Sequence, residues 1–340
     1  MALKSHIRVG VVGYGEAFGM GRQHLQEMRK AGMIPVVVTD TDEARLRAAE
    51  KDFPGIETYG SVKEMLRSSE VDLLSIVTPH DTHAELALQI LAAGKHVVVE
   101  KPMALTTRQC DAMIASAKKN RLMLTAHHNR HWDGCILHAL KRIKGGAIGE
   151  VVRVEAHMGS WNRPGDWWRS SRSVSGGLLY DWGVHLLEYT LQIVGSDIVE
   201  VSGFTSRGVW AAKTAWKRDT VEDEGTVLVR YTNGVWSSLL LSSIEAKPRE
   251  GWVDVTGTKG SYSFDHGSWT LTTPRKEGVT TVKGRNPESE GYRFYQNVAA
   301  HLMKGEKLVI SAEWARRPIH IIDLAYQSAE KGAAVKAQYL

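Results

Sequence analysis

Five short, almost wholly apolar runs alternate with helix-period segments over the first third of the chain. This alternation restricts the fold more than any other feature. The runs are residues 7–12, 36–39, 73–77, 96–100 and 122–125, and the helical segments are 22–31, 43–51, 61–67, 83–93 and 108–120. Strands that lack polar alternation are those buried on both faces under helices. Strands and helices in turn imply a parallel, doubly wound sheet. Right-handed crossovers then bring the strand C-termini to one edge, where ligands bind.

The pattern changes after about residue 126. A helix over 132–144 stops at Gly145-Gly146, and longer alternating strands follow at 150–158, 200–207, 224–231, 235–243, 252–257 and 269–272. Asn233-Gly234 reads as a two-residue hairpin turn. One helix spans 179–194, and two more, at 290–304 and 318–331, close the chain. The expectation is an α/β domain over 1–126 and an α+β domain with a mostly antiparallel sheet over 127–340. The C-terminal helix is free to pack back on the first domain. A length of 340 residues suits two domains.

Composition excludes several classes. With 43% hydrophobic and 24% charged residues the chain is globular. A net charge of +5, with basic residues in short groups such as Lys118, Lys119 and Arg121, argues against nucleic acid as a partner. No run of 18 apolar residues proposes a membrane helix, and the N-terminal stretch has no signal-peptide pattern. Cys110 and Cys135 form neither a disulfide framework nor a metal-ligand spacing, and the histidines are scattered, so no metal is expected. A cytoplasmic protein is the expectation.

The first strand runs into Gly13-Tyr14-Gly15-Glu16-Ala17-Phe18-Gly19-Met20-Gly21, with His24 just beyond. Such glycines let the backbone turn tightly and approach a pyrophosphate, which the next helix N-terminus then faces. Gly13 and Gly15 fit the usual spacing. The third glycine is displaced, leaving Gly19 and Gly21 both available. Asp40 ends the second strand, 27 residues after Gly13. A carboxylate there accepts from both adenosine ribose hydroxyls and repels a 2′-phosphate, which predicts NAD over NADP. Asp42 competes as the N-cap of the following helix, and Arg45 is near enough to complicate the choice.

Thr78, Pro79 and His83 follow the third strand, where a nicotinamide would pass; His80 there reads as turn chemistry. The fourth strand delivers Glu100-Lys101-Pro102. A lysine at the end of a buried strand is a usable proton donor, and Pro102 restricts its backbone. Ser175-Gly176-Gly177 opens a helix carrying Asp181 and His185 at i, i+4 spacing, a carboxylate placed to tune an imidazole. Trp161, Arg163, Asp166, Trp167, Trp168, Arg169 and Arg172 precede that pair. Indole faces suit sugar C–H faces, while Arg and Asp suit hydroxyls. The same tryptophans would also serve to pack an interface.

Together VGVVGYG, VVVTD, SIVTPHDTHAELALQILAAGKHVVVEKP, SGGLLYDWGVH and IIDLAYQSAEKGAAV resemble the Gfo/Idh/MocA family of glucose–fructose oxidoreductases and inositol dehydrogenases, over essentially the whole chain. The resemblance implies a Rossmann domain followed by an open-faced antiparallel sheet that makes dimer or tetramer contacts. It implies that Lys101 belongs to the family's Glu-Lys-Pro motif, touching the substrate hydroxyl and orienting the nicotinamide. Asp181 and His185 map onto the family's Asp-x-x-x-His pair, with His185 as acid/base. Asn129 and Arg130 fall where the family places cofactor or substrate contacts. The chain departs from the family in its longer loop and in Ser175, where a third glycine is common.

The expected cofactor-binding residues are therefore Gly13, Gly15, Glu16, Ala17, Phe18, Gly21, Asp40, Thr78, Pro79, His83, Glu100, Lys101 and Arg130. The expected catalytic residues are Lys101, Asp181 and His185. The expected substrate contacts are Lys101, Trp161, Arg163, Trp167, Trp168, Arg169, Asp181 and His185. The expected activity is NAD-dependent hydride transfer at a secondary hydroxyl of a sugar, glycoside or cyclitol. Two alternatives share these residues: a redox-neutral glycosidase that oxidises its sugar transiently, and a nucleotide-binding sensor without catalysis.

Overall fold

The structure, a computed structural model, describes residues 6–15 and 18–339. The chain forms two compact units. The first runs to His128 and adds Tyr292–Arg316; the second holds Asn129–Gly291 and the chain from Arg317 onward.

The first unit carries β1 (Arg8–Val12), α1 (Met20–Lys30), β2 (Ile34–Thr39), α2 (Glu43–Asp52), β3 (Glu57–Tyr59), α3 (Val62–Ser68), β4 (Leu73–Ile76), α4 (His83–Ala92), β5 (His96–Val99), α5 (Thr107–Asn120) and β6 (Leu124–Ala126). Its sheet is parallel throughout, in the order β3-β2-β1-β4-β5-β6. That is the doubly wound order, with its topological switch between β1 and β4. Val9, Val11, Leu73, Leu74, Val97 and Val98 are fully buried. Burial of one such side chain is worth about 1.5–3 kcal/mol, so the apolar runs dictate the sheet. The sixth strand, β3, was not expected. It has only three residues, at an edge and partly exposed, too few to show a pattern.

The second unit begins with α6 (Gly134–Lys144), β7 (Val151–Gly159), the short α7 (Arg172–Ser175), α8 (Trp182–Val194), β8 (Ile198–Ser206), β9 (Glu224–Tyr231) and β10 (Trp236–Ser242). It continues with β11 (Val253–Gly257), β12 (Gly260–Phe264), β13 (Ser268–Pro274) and β14 (Val279–Arg285). The helices α9 (Arg293–Lys304) and α10 (Ala312–Lys331) and a last short strand, β15 (Val335–Lys336), complete the chain. The nine strands form one sheet, β14-β13-β12-β11-β7-β10-β9-β8-β15, antiparallel except where β10 runs beside β7.

Three expectations need correction. The turn between β9 and β10 is a three-residue loop. Gly234 donates to Tyr231, Tyr231 donates to Val235, and Gly234 alone takes φ +83°. This is a tight turn closed by one left-handed glycine. The helix expected at 318–331 starts six residues earlier, at Ala312, because Ser311 caps it through the Trp314 N–H. Pro318 therefore lies inside that helix. The strands β12, β14 and β15 were not expected. Every residue of β14 is exposed except Gly284, so it shows no alternation.

Candidate functional site

In the first unit, β1 ends at Val12 and Gly13 takes φ +99°. A Cβ there would lie 2.7 Å from the Val77 carbonyl oxygen and 3.2 Å from Thr78 Cγ2. Only glycine lets the loop lie this close to the end of β4. Gly19 is the N-cap of α1, and a Cβ on Gly21 would lie 2.6 Å from the Gly13 carbonyl oxygen. The helix-to-strand packing role of a third glycine thus falls to Gly21. No described side chain caps α1, and its first turn holds no acid. By contrast Asp42, Ser61 and Thr106 cap α2, α3 and α5. The bare cradle and the polar helix start fit the pyrophosphate of a dinucleotide. Phe18 is largely exposed beside it; Glu16 and Ala17 lie outside the described residues.

Asp40 follows β2 and is buried. Its Oδ2 accepts the Tyr14 N–H at 2.6 Å and its Oδ1 accepts the Asp42 N–H at 3.0 Å. Each oxygen keeps a second acceptor site. Asp42, through the Ala44 N–H, does the capping, which leaves Asp40 to the loop. Arg45 Nη1 stands 3.8 Å from Asp40 and would lie 3.5 Å from a Cβ on Gly15.

At the other end of this sheet edge, His83 ties two loops together. Its Nδ1 lies 2.8 Å from the Pro102 carbonyl and its Nε2 2.9 Å from that of Thr78. Burial holds its pKa below the ordinary value against both carbonyls. Pro79 accepts from Thr82, whose hydroxyl also meets that of Thr78. Glu100 Oε2 accepts the N–H of Lys101, and Lys101 itself is half-buried. Glu100 Oε1 faces both His24 and His127.

In the second unit, Arg130 sits in a single 3-10 turn, Asn129–Trp132. It donates to Asp133 at 2.9 Å and lies 4.8 Å above the Trp182 ring. Trp182 meets the His185 ring edge-on at 5.5 Å. The helix α8 starts at Trp182, so Asp181 is the residue before it and His185 is inside it, buried. Asp181 Oδ1 accepts from Arg169 Nη1 at 2.7 Å. The Arg169 guanidinium in turn lies 4.9 Å from the Trp168 ring and 5.4 Å from Trp167. Trp167, Trp168, Arg169 and Asp181 thus form one cluster.

Trp161 and Arg163 belong to a second cluster. Exposed Trp161 meets Trp210 edge-on at 5.7 Å. Arg163 grips Asp166 through both nitrogens and donates to the Lys213 carbonyl, while Asp166 accepts the Ala215 N–H. Arg163 holds the Asp166 carboxyl below its ordinary pKa.

The glycine pair before α8 is held by residues the sequence did not single out. Gly177 takes φ +130°, and a Cβ on it would lie 2.2 Å from the Tyr326 hydroxyl and 2.7 Å from Glu222 Oε2. Glu222 is wholly buried. It accepts from the Leu178 N–H and from Tyr326, and pairs with Arg172 and Arg207. Arg172 is thereby a support of this turn. The only sequence signal for Glu222 is the acidic string Glu222-Asp223-Glu224.

Residues 7–128 match the model of an oxidoreductase family with an NAD-binding Rossmann fold, and residues 136–263 match the GFO/IDH/MocA C-terminal domain. The chain is 34% identical to the uncharacterized oxidoreductase YdgJ of Escherichia coli, over 57% of its own length and 55% of that protein's. It is 23% identical to scyllo-inositol 2-dehydrogenase (NADP(+)) IolW of Bacillus subtilis, over 98% and 96%. Among solved structures, an NAD-binding protein from Listeria innocua is 28% identical over 97% of each chain, with a TM-score of 0.81. The fold is also that of a levoglucosan dehydrogenase in complex with NADH and levoglucosan, at TM-score 0.82, 20% identity and coverage of 99% and 100%.

Proposed function

Because the chain belongs to the Gfo/Idh/MocA family of oxidoreductases, we propose that it is an NAD-dependent dehydrogenase acting on a secondary hydroxyl of a sugar, glycoside or cyclitol. The observation that carries this reading is the Arg169–Asp181 pair set against two indoles, one turn before His185. Indole faces with a directed charge pair suit a polyhydroxylated ring. The named activity of the Bacillus subtilis relative on scyllo-inositol and the levoglucosan bound by the levoglucosan dehydrogenase of like fold support the same substrate class.

The dinucleotide is held by Gly13, Gly15, Phe18 and Gly21 at the pyrophosphate and by Asp40 at the adenosine ribose. Thr78, Pro79, His83, Glu100 and Arg130 take the nicotinamide end. NAD, when bound, supplies the hydride acceptor. Asp40 favours NAD, since its charge repels a 2′-phosphate. His185 removes the hydroxyl proton at a ring nitrogen, and Lys101 donates a hydrogen bond to the oxygen as charge develops there. Asp181, paired with Arg169, supports His185. Trp161, Arg163, Trp167 and Trp168 bound the substrate.

The chain also acts as a homodimer or homotetramer in this reading, through the open face of the nine-stranded sheet. Phe204, Leu228 and Trp236, on adjacent strands, are exposed there.

The test is kinetic. Lys101→Ala and His185→Ala are each expected to cut turnover by about 10²-fold or more while leaving NAD binding largely intact. Near-normal turnover in His185→Ala would remove His185 from this role. Aglycone release without net NADH would favour the redox-neutral glycosidase instead.

A further inference from the structure

Glu100 leaves β5 with its carboxylate turned into the first unit. His24 on α1 reaches Oε1 with Nε2 at 3.0 Å, and His127, just after β6, reaches the same oxygen with Nδ1 at 2.6 Å. Both imidazoles are buried. Their outer nitrogens meet opposite kinds of group. His24 Nδ1 meets two hydroxyls, of Tyr295 on α9 and Ser75 on β4. His127 Nε2 faces Oε2 of Glu27 on α1 at 3.8 Å.

Proton counting then separates the two rings. Hydroxyls can donate as well as accept, so they allow His24 to accept at Nδ1 while it donates at Nε2, and burial beside His127 favours that neutral form. His127 meets Glu100 through Nδ1, while its Nε2 stands at ion-pair distance from Glu27, beyond hydrogen-bond reach; two carboxylates flanking one buried ring favour the imidazolium form of His127. One positive charge there balances a buried carboxylate that would otherwise be costly. Glu100, fixed at Oε1, holds the Lys101 N–H with Oε2 at 3.0 Å.

We propose that His127 is a positioning residue: as a buried cation it clamps Glu100, and Glu100 in turn fixes the backbone from which Lys101 extends. His24 is the neutral second jaw of the clamp. The inference rests on the reading of Lys101 as a substrate contact. The titratable groups facing His127 are Glu27 and His24 from α1, Glu100 after β5 and Tyr295 from α9; Phe294 adds an edge-on apolar ring at 4.7 Å. Burial disfavours charge on His127, but Glu100 and Glu27 override it and raise its pKa to about 9. Burial and the charge on His127 keep His24 below its ordinary value.

The experiment is a histidine Cε1–Hε1 NMR titration of the full chain without cofactor, for wild type, His127→Gln and Glu27→Gln. It is combined with melting curves and kcat against KM. One imidazole, absent in His127→Gln, is expected to stay protonated through pH 8. Glu27→Gln, which keeps the fold if His127→Gln does not, is expected to lower that titration by about one pH unit. His127→Gln is expected to melt about 5 °C lower, and adding Glu100→Gln should recover part of that loss. It should also reduce kcat by about tenfold with KM and NADH affinity little changed. A His127 that is neutral at pH 7, an unchanged titration in Glu27→Gln, or stoichiometric divalent metal in the purified protein would overturn the clamp. So would an unaltered kcat in a folded His127→Gln enzyme that turns over. If wild type turns over nothing, the dehydrogenase reading fails while titration and melting still decide the clamp.

Discussion

Arg169 donates from Nη1 to Oδ1 of Asp181 at 2.7 Å, while its guanidinium lies over the rings of Trp167 and Trp168. One side chain thus links an aromatic wall to the acid that precedes α8. Arg169→Ala removes both connections. The expected result is a loss of about 10²-fold in kcat/KM for the substrate that turns over, with NADH affinity unchanged. Steady-state kinetics and NADH fluorescence titration check it.

Gly177→Ala should be among the more damaging changes in the second unit. A methyl group there meets Tyr326 and Glu222 and forces a left-handed backbone on alanine. A loss of about 3 kcal/mol in unfolding free energy is expected, read from urea denaturation. Gly195→Ala is the control. Its φ of +58° lies in the left-handed helical region, which alanine can enter, and it has open space around it, so its cost should be about 1 kcal/mol.

Much of this was legible in the sequence, for identifiable reasons. The buried strands are apolar without interruption, and Gly13, Asp40 and Glu100-Lys101 sit at their C-terminal ends, so topology alone gathers them. The glycine pair announced a tight turn. Its partners Glu222 and Tyr326 stand 45 and 149 residues beyond Gly177, and no local pattern connects them. His127 was equally hidden, as one of several histidines in a short stretch. Its role exists only because β5 and β6 pair and α1 packs beside them. The exposed β14 lacked a pattern because it has no buried face.

Cofactor choice should respond to Asp40. Asp40→Ser removes the charge facing the ribose and leaves Arg45 beside the vacated place. The ratio of NADP to NAD affinity should rise by about tenfold or more. Isothermal titration with both oxidised cofactors checks it; an unchanged ratio would place the determinant elsewhere.

Stability should peak near pH 6.5. His24 and His83 have pKa values lowered by burial, so the unfolded chain binds more protons below about 6.5 and stability falls on the acid side. His127 has its pKa raised to about 9, so its contribution is complete below 6.5 and is lost as pH rises to 9. Glu100, held well below the carboxylate range by His127 and His24 against its burial, adds a further acid loss below about 4.5. Guanidinium midpoints from pH 4 to 10 check the shape. His127→Gln should flatten the basic limb.

The most direct measurement is nicotinamide fluorescence after mixing the protein with NAD⁺ and a panel of inositols, pyranosides, uronates and aryl glycosides. The proposed function predicts that NADH appears with one of these classes and that His185→Ala abolishes the signal. NADH formation with none of them, by a folded protein that binds NAD⁺, would contradict it.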